Sequence, residues 1–217
     1  MHKTMADTPS SSADHTYGFG TRAIHAGAQP DPVTGARATP IHQTTSFVFD
    51  SAEHASSLFN LQTFGNVYSR ISNPTVAVLE ERVASLEGGR AALACGSGMA
   101  AQMTALLAIL KAGDHIVAAS TLYGGSVGQL GLGFERLGIH TTFVDPADPD
   151  HFRRAMRPNT RAVYGETLGN PLVNVFDIEA VAAVAHDHGV PLVIDNTVAS
   201  PYLCNPFAFG ADIVVHS

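Results

Sequence analysis

The sequence predicts an α/β fold built on a mainly parallel sheet covered by helices. From residue 91 onward, apolar runs of strand length alternate with segments of helical length, the pattern of right-handed crossovers between parallel strands. Glycine-containing pairs such as Gly88-Gly89 and Ala112-Gly113 punctuate those segments where helices should stop. Of the 217 residues, 45% are hydrophobic and 14% charged, which is enough apolar surface to cover both faces of such a sheet.

Taken in order, residues 1–16 are rich in Ser, Thr, Asp and His without periodicity and predict a disordered tail. Residues 17–70 carry turn signals at Gln29-Pro30-Asp31-Pro32 and Thr34-Gly35, then an extended run at 44–49. Their few apolar positions cannot build a core, so they are expected to form an N-terminal arm on another surface. Residues 71–217 are expected to be the compact domain. Thr75 is expected to cap a helix whose apolar residues Val76, Val78, Leu79, Val83 and Leu86 lead to Gly88-Gly89. Strands are predicted at 91–95, 115–119, 141–144, 162–166, 191–195 and 211–215. Helices are predicted at 100–110, 127–137, 151–156 and 178–188. The chain ends just after a strand, where a crossover helix should begin, which predicts that it continues in a longer protein.

Composition narrows the function classes. The net charge of -7, with twelve scattered Lys and Arg, argues against a phosphate-backbone partner, so no nucleic acid is expected. No apolar run of about 18 residues or secretory core is present, which predicts a cytoplasmic protein without a membrane partner. Cys95 and Cys204 form no metal or disulfide spacing, and His186 and His188 stand two apart rather than four, so no metal is expected.

Ligands of open α/β sheets bind beyond the carboxyl ends of the strands, which draws attention to four turns. Gly96-Ser97-Gly98-Met99-Ala100-Ala101 opens a helix with bare backbone N–H groups suited to a phosphate, and equally fits a tight packing turn. It also matches a dinucleotide fingerprint, but the next strand ends in Ala118-Ala119-Ser120 and offers no ribose-binding acid. Tyr123, before Gly124-Gly125, could stack on a planar ring or fill a gap in the core. Glu166 to Pro171 contains Asn170, able to donate to a ring oxygen, or forms an ordinary turn. Asp195 closes a hydrophobic strand, where it could pair with a protonated pyridine nitrogen or cap the next segment. Upstream, Tyr68-Ser69-Arg70 combines a hydroxyl with a planar guanidinium fork.

Together these pieces resemble the Cys/Met metabolism family of pyridoxal-phosphate enzymes, which has the aspartate-aminotransferase-like fold (fold type I). The strings that carry the resemblance run in the family's order. They are Phe64-Gly65-Asn66-Val67-Tyr68-Ser69-Arg70-Ile71-Ser72-Asn73-Pro74-Thr75, Gly96 to Ala100, Leu122-Tyr123-Gly124-Gly125, Glu166 with Asn170-Pro171, Asp195-Asn196-Thr197, and Ala211 to Ser217. The resemblance implies pyridoxal 5'-phosphate as cofactor, with phosphate contacts from Gly98, Met99 and Ser217 and a further cofactor contact from Thr197. It implies Tyr123 stacked on the ring, Asn170 beside the ring oxygen and Asp195 on the ring nitrogen, Tyr123 and Asp195 being the expected catalytic residues. Tyr68 and Arg70 would reach the phosphate of a neighbouring subunit, in a homotetramer built from dimers that share active sites. The family's Schiff-base lysine would fall at position 220, beyond the last residue, and Lys3 and Lys111 cannot replace it.

Within the family the strings look most like O-acetylhomoserine sulfhydrylases. They imply γ-replacement on O-acetylhomoserine with sulfide or a thiol, giving homocysteine or methionine in a methionine-biosynthetic, trans-sulfuration role. Cystathionine γ-synthase and methionine or cystathionine γ-lyase of the same family are the alternatives. A non-catalytic cofactor-binding or assembly fragment is the alternative outside enzymes.

Overall fold

A computed structural model describes residues 17–217 and divides the chain into two compact units, one ending at Ala94 and the other spanning Cys95–Ser217. The tail expected at 1–16 lies outside the described residues.

In the first unit, α1 (Phe19–His25), α2 (Ala52–Phe59) and α3 (Pro74–Glu87) are joined by long irregular segments. Asn73, not the expected Thr75, caps α3: its side chain accepts a hydrogen bond from the Thr75 amide. Pro74 explains the shift, because it occupies the first helical position and so places the cap at Asn73, two residues before Thr75. The Thr75 hydroxyl instead donates to the Pro40 carbonyl at 2.8 Å and accepts from the His42 amide at 2.9 Å, tying the irregular segment to α3. Arg82 Nε donates to the Ala26 carbonyl at 3.0 Å and Arg22 donates to the Ser85 carbonyl, which fastens α1 to α3. The run at 44–49 is extended but makes only an isolated bridge, Ser46 to Tyr68. Among the described hydrophobic residues of this unit only Ala26, Leu58 and Ala84 are buried, while Val48 stands 98% exposed.

The second unit is the α/β layer expected. It begins with α4 (Gly98–Leu107) and continues through β1 (His115–Ala119), α5 (Gly124–Gly128), β2 (His140–Val144), α6 (Pro149–Ala155) and β3 (Thr160–Glu166). It then runs through α7 (Ile178–Asp187), β4 (Leu192–Asp195), the short α8 (Ser200–Leu203) and β5 (Ile213–Val215). After α5 the helix widens into π turns at Gln129–Gly133. The five strands are all parallel, in the order β2-β1-β3-β4-β5.

Why these strands form is plain from their sequences. His115–Ala119 is buried at every position, and Leu192, Val193 and Ile194 are fully enclosed, as both-face burial of a parallel sheet requires. Each fully buried Leu, Ile or Val contributes about 1.5–3 kcal/mol relative to exposure. α6 and α7 pack on one another, and the Phe152 and Phe176 rings meet edge to face at 5.8 Å.

One expected strand is absent. Residues 91–95 are irregular, and Leu93 is exposed, because no strand among the described residues pairs with that stretch.

Candidate active site

The order β2-β1-β3-β4-β5 means that the chain leaves β1 toward one edge of the sheet and leaves β3 toward the other. The loops beyond those two strands therefore diverge, and this topological switch point is where α/β sheets form a ligand crevice. Here the crevice is closed at its base by three hydrogen bonds. Asn170 N donates to the Thr121 carbonyl at 3.1 Å, Asn174 Nδ2 to Thr121 Oγ1 at 3.2 Å, and Tyr123 N to Glu166 Oε1 at 2.8 Å.

Beyond β4 and β5 a second set of groups converges. Asp195 ends β4, half-buried, with Oδ1 accepting from the Thr197 amide at 2.9 Å. The neighbouring Asn196 is fully buried; its Oδ1 accepts from Thr167 Oγ1 at 2.8 Å and its Nδ2 donates to the Cys204 carbonyl at 3.0 Å. That anchoring fixes the turn on which Asp195 and Thr197 sit. Thr197 Oγ1 in turn accepts from the Ser217 amide at 2.9 Å.

Ser217 lies directly against the start of α4. A Cβ on Gly98 would stand 2.5 Å from Ser217 Cβ and 2.7 Å from its hydroxyl oxygen, so only glycine permits this approach. Ser97 caps the same helix, its hydroxyl accepting from the Ala100 amide at 3.1 Å. The amides of Gly98 and Met99 belong to the first turn, where no intrahelical acceptor exists. Free first-turn amides, the positive end of a ten-residue helix and the hydroxyls of Thr197 and Ser217 form a cradle whose chemistry suits a phosphate.

Tyr123 precedes α5 and is 52% exposed. Its ring lies over Gly125, where a Cβ would come within 2.4 Å of the ring edge. A flat, half-open aromatic face beside the crevice can receive a planar ring. Asn170 is exposed on the loop after β3, before a cis bond to Pro171. Tyr68 and Arg70 belong to the first unit, where the guanidinium carbon sits 5.4 Å from the centre of the Tyr68 ring.

The structure thus brings Gly98, Thr197 and Ser217 together and sets Asp195 beside them, with Tyr123 and Asn170 at the switch-point crevice. It also reveals polar residues to which the sequence assigned no role. Glu166 ends β3 as the register partner of Asp195 and is only 6% exposed. Burial pushes its carboxyl up to about 7, with the charge of Asp195 adding to the rise while the Tyr123 amide and the Ser126 hydroxyl oppose it. Tyr164, two residues before Glu166 on the same face, donates its buried hydroxyl to Gln102 Oε1 at 2.9 Å. Its phenol is held well above the usual range, first by burial and then by Asp195 and Glu166. The period-two spacing of Tyr164 and Glu166 was the available signal in the sequence.

Two surface hollows share none of these residues. One, of about 410 Å³, is lined by Val144, Asp145, His151, Arg154 and Ala155. The other, of about 290 Å³, lies in the first unit around Arg22, His25 and Arg37. Among the described residues no cluster of His, Cys, Asp or Glu could hold a metal, and no helix is long and apolar enough to cross a membrane.

Comparison with known proteins adds an independent line. The sequence profile of the Cys/Met metabolism PLP-dependent enzyme family matches residues 20–217. The O-acetyl-L-homoserine sulfhydrylase of Leptospira meyeri is 58% identical over 197 residues, covering 91% of this chain and 45% of that protein. The protein of the same name from Corynebacterium glutamicum is 53% identical over 214 residues, covering 98% of this chain and 49% of its own. The homocysteine/cysteine synthase of Saccharomyces cerevisiae is 50% identical over 202 residues, covering 92% and 46%. The chain therefore spans about half the length of the curated relatives it matches. Among solved structures, a Campylobacter jejuni protein assigned as an O-acetylhomoserine (thiol)-lyase and containing N'-pyridoxyl-lysine-5'-monophosphate superposes with a TM-score of 0.90 at 36% identity. That match covers 93% of this chain and 49% of the other. The metB protein of Corynebacterium glutamicum superposes at 0.87 with 39% identity, covering 94% and 51%.

Proposed function

The chain belongs to the Cys/Met metabolism PLP-dependent enzyme family, and from that premise we propose that the carboxyl edge of its sheet holds pyridoxal 5'-phosphate. The whole protein, on this proposal, carries out γ-replacement on O-acetylhomoserine. The observation that carries the cofactor assignment is the Gly98–Ser217 approach at the start of α4, which sets the Ser217 and Thr197 hydroxyls beside the first-turn amides and tolerates no side chain at position 98.

When bound, the cofactor supplies an electron-withdrawing ring conjugated to the substrate's α-carbon, which lowers the cost of losing the neighbouring protons and of expelling a γ-acyloxy group. The chain's own groups bind and orient. The Gly98 and Met99 amides and the Thr197 and Ser217 hydroxyls would hold the phosphate. Asp195, on a turn fixed by buried Asn196, would face the ring nitrogen and favour its protonated form. Tyr123 would cover one ring face, and the Asn170 amide would donate to the ring oxygen. The lysine that anchors the cofactor in this family would lie at position 220 of the longer protein.

The net reaction we assign is acetate leaving the γ-carbon of O-acetylhomoserine while sulfide or a thiol takes its place, giving homocysteine or methionine. The names of the Leptospira, Corynebacterium and Saccharomyces relatives support this branch over the γ-lyases. We further assign the protein to the cytoplasm and to a homotetramer. In that assembly residues 17–70 serve as an intersubunit arm, residues 71–217 as part of the cofactor domain, and Tyr68 and Arg70 reach the partner's phosphate. The weakly buried first unit supports that arm.

Turnover decides the function. The longer protein should convert O-acetylhomoserine and sulfide to homocysteine with a kcat/KM far above that for cleaving methionine to a keto acid. Borohydride reduction followed by peptide mapping should place the cofactor at position 220. Preferential methionine cleavage would replace the assignment with a lyase.

A further inference from the structure

Around buried Glu166 lies a polar cluster whose members, apart from Asp195 and Tyr123, the cofactor contacts proposed above do not use. Glu166 and Asp195 are register partners at the ends of β3 and β4, so their side chains leave the sheet on the same face. The groups that face Glu166 come from every element packed around it. They are the Tyr123 amide from the loop after β1, the Ser126 hydroxyl from α5, and the Asp195 carboxyl from β4. The Tyr164 phenol lies beside it on β3, joined onward to Gln102 of α4. No cation is among them. Two neighbouring carboxyls in such a cluster carry one negative charge far more cheaply than two.

We propose that Glu166 is a positioning residue of this site: buried at the end of β3, it uses Oε1 to fix the Tyr123 amide and, through it, the ring that follows. The proposal rests on the pyridoxal-phosphate assignment for its consequence, and on geometry for its structure. Ser126, 1% exposed on the first turn of α5, also hydrogen-bonds the carboxyl, so Glu166 ties the Tyr123 loop to the start of the helix that follows it. The upward shift of the Glu166 carboxyl agrees with its being the protonated member of the pair.

Two variants separate this role from simple packing. Glu166→Gln reproduces the shape and acceptor of the protonated acid, whereas Glu166→Ala removes the acceptor. In the unaltered protein the Tyr123 amide proton shift, followed by NMR, should titrate with a midpoint of about 7. In Glu166→Gln that amide should stay downfield without titrating, and pyridoxal phosphate affinity should be kept to within about twofold. In Glu166→Ala the amide should move upfield and the affinity should fall about tenfold. A Tyr123 amide that does not titrate, one that still titrates in Glu166→Gln, or an alanine variant with undiminished affinity would each overturn the proposal. If the alanine variant does not fold, the glutamine titration decides alone. Failure of the unaltered protein to bind pyridoxal phosphate would sink the cofactor assignment instead, and the amide titration would still decide the positioning claim.

Discussion

At the amino end of the sheet His115, on β1, is fully buried, and each ring nitrogen meets a threonine hydroxyl, Thr160 and Thr142, at 2.8 Å. At the carboxyl end Glu166, on β3, is almost as buried, but its neighbours are a loop amide, a serine and a second carboxyl. Burial pushes both toward the neutral form, His115 down to about 4, with Arg157 and His140 adding to the effect, and Glu166 up to about 7. The difference lies in what each neutral group holds. His115 joins three strands through hydroxyls that donate or accept as needed, and its own ring is enclosed. Glu166 holds a loop bearing a half-exposed ring. A shifted pKa therefore marks the functional end only when its partners lead to an open site.

Filling the Gly98 cradle should break the carboxyl end most severely. Gly98→Val forces Ser217 away, and overpacking of about 1–3 kcal/mol at the cradle corresponds to a loss of pyridoxal phosphate affinity of about 5-fold to about 150-fold. Absorbance titration measures it, and unaltered affinity would remove the phosphate assignment. Thr160→Val should act at the amino end alone. It leaves His115 Nδ1 and the Arg157 amide without their shared partner, costing about 1–3 kcal/mol in urea unfolding while affinity stays put. A parallel loss of affinity would mean that the two ends are not independent.

Tyr123 sharpens the comparison further. Tyr123→Ala should weaken cofactor binding by about fivefold through lost stacking of about 1 kcal/mol, and Tyr123→Phe should restore it. Equal losses in both would assign the effect to the hydroxyl. The smallest effects are in pH dependence. Between its ordinary 4.5 and about 7, Glu166 binds protons more readily in the folded protein, so it withdraws stability as pH rises. Between about 4 and its ordinary 6.5, His115 binds them less readily when folded, so stability returns as pH rises. Glu166→Gln should make stability climb more steeply with pH in that range, and His115→Gln should do the reverse. Urea titrations at stepped pH check both, and unchanged slopes would contradict the burial argument.

Much of this was legible in the residues. His115–Ala119 forms as read because five consecutive apolar or enclosed positions suit a central parallel strand. The run at 91–95 misled because apolar sequence specifies a strand only when a neighbour completes its hydrogen bonds. α2 escaped notice because it is only eight residues long and buries only Leu58, too short a stretch for a helical repeat to stand out. The phosphate-type turn at Gly96 to Ala101 was visible, but the contact of Gly98 with Ser217 depends on where α4 and β5 pack, which no local pattern encodes. Glu166 was named without a role, since its pairing with Asp195 follows from strand order rather than spacing.

The most direct test of the central claim is to titrate the protein with pyridoxal phosphate while following its backbone amides by NMR. Saturable shifts concentrated at Gly98, Met99, Tyr123, Thr197 and Ser217 are expected. Shifts gathered instead around the Val144 to Ala155 hollow, or no saturable shifts at all, would contradict it.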